Sequence, residues 1–418
     1  MAPDASELAI NGGPKTKETP FTTGKRFGDE ERQQVIEALD SDVLFYVFGT
    51  KVHEMEDKLK AMYGMKYCNG CSSGTAAVHI AVGTLQIPPG SEVITSSVTD
   101  MGTLTGVLYQ GLIPRFADID PETYEMSPEN VRKLVNNKTG AIIVVHHAGM
   151  PAEIDEMLEI AVDKGLPIVE DCAQAWYTSY KGRLVGTFGD ISAFSLNHFK
   201  LITCGSGGAV ITNNEELEDI AKLFVDKCYF RDGRKRNPYF LAPNYQMTEL
   251  QGAVAIAQLD KVVGIVERRN ELGMRLVNGL REIEGIIPMR IPDHCQHSFF
   301  LLVVRVDPKI IKVPVADFCA ALDAEGIPNE PNKITGGMPT YAYDVFKKQA
   351  AFPRSKLPFV SKDTWSNVEY PKGMCPNAED AYEHTFNLNI TQFYTEEDID
   401  DMIAGVAKVA ACFRISKK

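Results

Sequence analysis

The chain has 418 residues, 44% hydrophobic and 24% charged, enough to bury two substantial cores. Its net charge of -13 excludes the basic face expected of a nucleic-acid binder. The opening "MAPDASELAINGGPK" has neither the basic nor the apolar region of a signal peptide, and no apolar run reaches membrane-spanning length, so a cytoplasmic protein is expected.

Residues 1–30 read as irregular, packing against the second domain. From Tyr67 to Thr212 short apolar strands alternate with amphipathic helices. Strands are expected over 92–97 ("EVITSS"), 113–120, 141–147, 166–171, 191–196 and 209–213. Helices are expected over 102–111, over 127–137 behind a Ser-x-x-Asn cap, and over 153–165 before a closing glycine. Continuous Val/Ile runs without alternation mean strands buried on both faces, which with helical crossovers gives a mostly parallel sheet. From Val262 the texture changes. A long helix (267–285), an apolar strand (298–307), a helix (315–327), a loop rich in Pro, Gly and Asn up to Pro376 and a last helix (396–413) read as a smaller α/β domain. The expected organisation is an irregular segment 1–30, a large domain 31–261 and a small C-terminal domain 262–418.

Nine scattered cysteines without a secretion signal read as reduced thiols. Cys68 and Cys71 have CxxC spacing but no second ligand pair nearby, so they are expected to be structural, and no metal is expected.

Open parallel sheets bind ligands at the carboxyl ends of their strands, so polar residues there matter most. In "CSSGTAAVHIAVGTL", Ser72, Ser73, Gly74 and Thr75 precede a helix whose free amides suit a phosphate, though an ordinary serine cap fits equally well. In "LPIVEDCAQA", Asp171 ends an apolar strand with Gln174 three residues on, while Glu170 faces the other way. Lys200 stands among Phe199, Leu201 and Ile202, before Gly205-Ser206-Gly207-Gly208. The order is wrong for a nucleotide-binding phosphate loop, because the glycines follow the lysine. An apolar setting depresses a lysine's pKa and makes it a nucleophile toward a carbonyl. A phosphate cradle, a carboxylate for a ring nitrogen and a lysine for an aldehyde together are what pyridoxal 5'-phosphate asks of a protein.

At these residues the sequence closely resembles the DegT/DnrJ/EryC1/StrS family of sugar and cyclitol aminotransferases. "SSGTAAVHIAV", "ADIDPETYEMSPE", "VEDCAQA", "GTFGDISAFS", "GGAVITNN" and "NYQMTELQGAVAIAQLDKV" are similar to family signatures in family order over nearly the whole chain. The resemblance implies the α/β fold of type I pyridoxal-phosphate transferases, with Lys200 forming the internal aldimine and Asp171 pairing with the pyridine nitrogen. It further implies Gln174 beside the ring, Gly74, Thr75 and Ser195 on the phosphate, and Asn244 reaching the phosphate from the neighbouring subunit of a homodimer. Ping-pong transfer from L-glutamate or L-glutamine to a ketosugar (nucleotide-linked) or a ketocyclitol follows from it. Three positions depart from the family pattern: Asp100 or Met101 stands where an aromatic usually stacks on the ring, Ser206 replaces a glutamate and Gln246 an arginine.

Two other readings share the fold. A sugar dehydratase would carry histidine in place of the lysine, and only His198, two residues away, speaks for it. A non-catalytic ligand sensor would have no use for both Lys200 and Asp171. Acceptor recognition is expected in the loop after Tyr229, with Arg231, Arg234, Lys235 and Arg236, and in "NKITGGMPTYAYD".

Overall fold

A computed structural model describes residues 5–331, 334–360 and 367–414. Seven strands make the central sheet: β1 (Tyr67–Cys71), β2 (Glu92–Ser96), β3 (Ile113–Ala117), β4 (Thr139–Val145), β5 (Ile168–Asp171), β6 (Ile191–Ser195) and β7 (Gly208–Thr212). Their order is β1-β7-β6-β5-β4-β2-β3, and β7 alone runs against the rest. Every residue of β2, β5, β6 and β7 is buried, as the unbroken apolar runs demand of strands covered on both faces.

Helices α1 (Asp29–Asp40), α2 (Lys51–Tyr63), α3 (Gly74–Thr84), α4 (Met101–Tyr109), α5 (Pro128–Leu134), α6 (Ile154–Lys164) and α7 (Glu215–Val225) belong to this half of the chain. Residues Ala76 to Thr84 of α3 are all buried, because the helix is wedged between the sheet and α4 and α7. Ser127 caps α5 by accepting from Asn130 N, and Gly165 closes α6 in the left-handed region at φ 64°.

The helix expected over 267–285 is the second half of a longer one, α8 (Glu249–Arg281). Thr248 starts it with a reciprocal cap: its hydroxyl accepts from Gln251 N while Gln251 Oε1 accepts from Thr248 N. The helix runs unbroken through 261–262, resting on α1 and α2 with its first half and on the C-terminal helix with its second.

Beyond α8 lie β8 (Ile286–Pro288), β9 (Leu302–Val306), α9 (Val315–Ala324), β10 (Glu330–Pro331), α10 (Asp344–Lys347), α11 (Pro376–His384), β11 (Thr385–Leu388) and α12 (Glu396–Phe413). The four strands form an antiparallel sheet in the order β8-β9-β11-β10. The strand expected over 298–307 starts only at Leu302, since Phe299 has φ 50° and Ser298 N is spent on Gly149 O.

The N-terminal residues lie against this second sheet and its helices. Ala9 N and Thr16 N donate to the Glu325 carboxylate, and Lys17 Nζ bridges Asp398 at 2.9 Å and Asp401 at 2.8 Å. Among the described residues no helix is long and apolar enough to cross a membrane.

Candidate active site

Strand order reverses between β2 and β4, and the carboxyl ends of β2, β4, β5 and β6 open a crevice there. A cavity of about 290 Å³ fills it. Gly74, Thr75, Asp171, Gln174, Ser195 and Lys200 line it together, with Ser73, Thr99, Asp100, Thr103, Val145, Asn197 and Phe199. Residues from five separate stretches of the sequence thus meet in one place.

The floor at one end is the start of α3. Ser73 caps it by accepting from Ala76 N at 3.1 Å, so by helix geometry the amides of Gly74 and Thr75 have no partner within the helix. A Cβ at Gly74 would stand 2.5 Å from Ser195 Cβ, so only glycine lets the helix start and the end of β6 close on each other. The result is an amide- and hydroxyl-lined corner suited to an anion.

At the other end Asp171 is 5% exposed. Its Oδ2 accepts from Thr103 Oγ1 at 2.7 Å and its Oδ1 from Ala173 N at 3.1 Å. Burial pushes its carboxyl up, against these two hydrogen bonds and the charge of Lys200. Among the described residues it has no ion-pair partner within salt-bridge distance, and Lys200 acts on it only at longer range.

Lys200 sits in the turn between β6 and β7, its Nζ 4.8 Å from the centre of the Phe300 ring. Burial pushes its ammonium down, partly offset by Asp171 and Asp100. Gln174 is fixed by accepting the Ala148 N–H at 2.8 Å through Oε1. Asn244 does not line this cavity: it is exposed, beside the bridge it makes with Asp226. His198 is exposed as well, packed edge-on to Phe199 rather than turned into the cavity.

Of the two residues at the missing aromatic, Asp100 lines the cavity and caps α4 by accepting from Gly102 N at 2.7 Å. Met101 instead packs into the core beneath the second sheet. Ser206 donates to Ser72 O at 3.0 Å, tying the glycine-rich loop to the start of α3. In the basic loop Arg231 pairs with Asp226 and Arg234 with Asp232, and both arginines are exposed, as are Lys235 and Arg236. Asn332 and Lys333 of the later loop lie outside the described residues.

Sequence reasoning passed over Thr103, the side chain that holds Asp171. Its signal was a second threonine four residues after Thr99, at the first turn of α4, where both hydroxyls return to the strand ends. Glu170, on the opposite face of β5, is buried and bound by His146 and by the amides of Gly186, Phe188 and Gly189. Cys68 and Cys71 are buried free thiols on β1.

The model of the DegT/DnrJ/EryC1/StrS aminotransferase family matches residues 25–357. The chain is 30% identical over 391 residues to the spore coat polysaccharide biosynthesis protein SpsC of Bacillus subtilis (strain 168), covering 91% of this chain and 95% of that one. It is 36% identical over 259 residues to GDP-perosamine synthase of Escherichia coli O157:H7, covering 60% of this chain and 68% of that one. The crystal structure of 3-amino-5-hydroxybenzoic acid synthase matches with a TM-score of 0.83 at 24% identity, over 94% of this chain and all of that one, a likeness of fold. The chain belongs to the DegT/DnrJ/EryC1/StrS family of pyridoxal-phosphate-dependent aminotransferases.

Proposed function

We propose that this aminotransferase moves an amino group from L-glutamate or L-glutamine to a nucleotide-linked ketosugar or a ketocyclitol, working as a homodimer with shared sites. The observation that carries the reading is the single cavity in which Lys200 and Asp171 face the corner made by α3 and Ser195. Relatives named for a nucleotide-linked sugar and for an inosose, a ketocyclitol, match this chain at similar identity and support both acceptor classes.

The residues present fit pyridoxal phosphate. The close approach of Gly74 to Ser195, which a Cβ would block, makes a corner of amides and hydroxyls suited to a phosphate. The buried Asp171 carboxyl, with no ion-pair partner among the described residues, suits a ring nitrogen. Bound there, the cofactor supplies an aldehyde that captures amines and a pyridinium ring that draws electrons from the carbon being changed. Thr75, Ser195 and the amides of α3 hold the phosphate. Asp171 would keep a proton on the ring nitrogen, and the Thr103 hydrogen bond favours the ionised form of that carboxyl. Gln174, locked by Ala148 N, orients the ring edge. Lys200 Nζ would hold the cofactor's aldehyde and, as the free amine, would remove and return the proton at the reacting carbon. Burial pushes its ammonium down, which favours the free amine for that task.

The dimer accounts for what one chain leaves open. Phe199, at the cavity, is 79% exposed, and Phe48 and Leu241 are 77% and 95% exposed, apolar area of the kind a partner covers. Asn244, turned away from its own cavity, serves the partner's phosphate.

The test has three parts. Borohydride reduction and peptide mapping place a cofactor tag on Lys200; a tag on another lysine ends the reading. A screen of nucleotide-linked ketosugars and ketocyclitols with labelled glutamate and glutamine identifies both substrates, and transfer to neither class overturns the acceptors proposed here. Sedimentation of a monomer that is fully active removes the shared site.

A further inference from the structure

The lysine turn closes on itself through local bonds, Phe199 N to Asn197 Oδ1 at 3.1 Å and Thr203 Oγ1 to Leu196 O at 3.0 Å among them. Between β6 and β7, Lys200 N bonds to Asn197 O at 2.9 Å and Cys204 N to Leu196 O at 3.1 Å. The carbonyls of His198, Lys200 and Leu201 are taken up by one side chain from far away in the sequence. Arg26 donates Nη1 to His198 O at 2.5 Å, and Nη2 to Lys200 O at 2.5 Å and Leu201 O at 3.3 Å. A planar guanidinium can satisfy several fixed carbonyls at once, which an ammonium cannot match.

The backbone of Arg26 is itself fixed. Gln258, on α8, donates Nε2 to Arg26 O at 3.0 Å and to Glu31 Oε1 at 2.7 Å. Its Oε1 accepts from Thr203 N at 3.2 Å, so Gln258 grips the other end of the same turn. Upstream, the chain is anchored to α12. Thr22 N donates to Asp398 Oδ2 at 3.2 Å, Lys17 Nζ pairs with Asp398 and Asp401, and Gly24 lies flat on Phe393, where a Cβ would come within 2.3 Å of the ring.

We infer that Arg26 is a positioning residue for Lys200, and that residues 17–26 form a strap tying the backbone under the lysine to α12. The inference rests on Lys200 being the cofactor lysine. Lys200 must reach an aldehyde at rest and a proton during turnover from one turn of backbone. A misplacement of about 1 Å costs on the order of 100-fold in rate. Three carbonyls held by one fork fix the height and tilt of that turn. Any shift of α12 against the large sheet is passed to Lys200 through ten residues of chain.

The test uses the holoenzyme and the variants Arg26→Met and Arg26→Lys. Three quantities are measured: cofactor retained on gel filtration, the pH midpoint of the cofactor's visible absorbance, and the single-turnover rate with whichever donor bleaches it. Arg26→Met is expected to retain cofactor, to shift the absorbance midpoint, and to slow the single turnover about 10- to 100-fold with KM nearly unchanged. Arg26→Lys recovers part of both, because an ammonium still satisfies one or two carbonyls. A wild-type midpoint and rate in Arg26→Met overturns the inference. Should that variant not fold, Gln258→Leu loosens the turn from Thr203 and is expected to shift the midpoint in the same direction; no shift there overturns it too. Borohydride mapping of the wild type separates the two claims. A tag on Lys200 with indifferent variants sinks only the role of Arg26, whereas a tag elsewhere sinks the assignment of Lys200.

Discussion

Thr103 donates its hydroxyl proton to Asp171 Oδ2 at 2.7 Å and therefore accepts the proton of Thr99 Oγ1, also 2.7 Å away. Thr99 is in turn clamped by Thr340, whose hydroxyl donates to Thr99 O at 2.7 Å and accepts from Thr99 N at 3.2 Å. Two hydroxyls in sequence, Thr99 and then Thr103, thus point at the Asp171 carboxylate, while Thr340 holds the backbone of Thr99. Burial pushes the Asp171 carboxyl up, and the Thr103 bond opposes it. Thr103→Val removes that opposition, so the acid limb of the kcat/KM profile is expected to move to higher pH. Loss of one charge-assisted hydrogen bond, ~2 kcal/mol, corresponds to about a 30-fold fall in rate. Thr103→Ser keeps the hydroxyl and is expected to keep the profile; a valine variant with an unmoved limb would sink the assignment.

Asp171→Asn tests the carboxylate itself. Asparagine still accepts from Thr103, so the fold and the cavity are expected to survive. The ring nitrogen would then lose its anionic partner, a loss of ~3–5 kcal/mol for a buried pair, or roughly 150- to 5,000-fold in rate. Lys200→Ala is expected to abolish turnover while cofactor remains held without a covalent bond by Gly74, Thr75 and Ser195. Undiminished activity in Asp171→Asn means that another carboxylate serves the ring.

The sheet and its site were legible for a physical reason. A parallel strand buried on both faces must be apolar throughout, so Ile142, Ile143 and Val144 announce themselves, and a charged residue ending such a run, as Asp171 does, stands out. Lys200 stands out likewise among apolar neighbours. The second sheet was harder, because β10 and β11 are two and four residues long and interrupted by loops that periodicity cannot read. The start of α8 was carried by Thr248 and Gln251, a cap easily passed over inside a stretch read for its family likeness. Arg26 gave no signal at all, since its partners are backbone carbonyls more than 170 residues away, which have no side-chain identity to betray them.

The anchor of the N-terminal segment is pH-sensitive in a defined window. The Asp398 carboxyl is pushed up by burial, but Lys17 and the amides of Thr395 and Thr22 outweigh that and hold it well below the ordinary range. A depressed carboxyl contributes stability that is complete above its unfolded pKa, about 4, and is lost as pH falls through the lower folded value. Lys17 is pushed down by burial yet held above its ordinary range by Asp398 and Asp401, so its share persists until pH climbs past about 10. With both side chains 4% exposed, Lys17→Met is expected to cost on the order of 3 kcal/mol at pH 7. Urea unfolding at pH 7 and at pH 3 should show that cost shrinking in acid. An equal cost at both values would mean that packing of the lysine stem, and not the ion pair, anchors the segment.

His146, Glu170 and Cys172 bring three ligand-type atoms within 4.8 Å of one another, yet the arrangement is closed to a metal. His146 Nδ1 accepts from Ala152 N at 3.1 Å, so the proton sits on Nε2 and is donated to Glu170 Oε2 at 3.0 Å. Glu170 accepts further from Gly186 N at 2.7 Å, Phe188 N at 2.7 Å and Gly189 N at 2.6 Å. Both imidazole nitrogens are engaged, and burial pushes the Cys172 thiol up, away from the thiolate that metals prefer. Dialysis against EDTA is therefore expected to change neither activity nor Tm, and Co(II) should produce no thiolate charge-transfer band. Glu170→Gln should instead destabilise by ~3 kcal/mol, because an amide turned toward those donors leaves buried N–H groups facing one another. A cobalt band that disappears in Cys172→Ser would show that the cluster binds metal after all, and that the proton on His146 is displaceable.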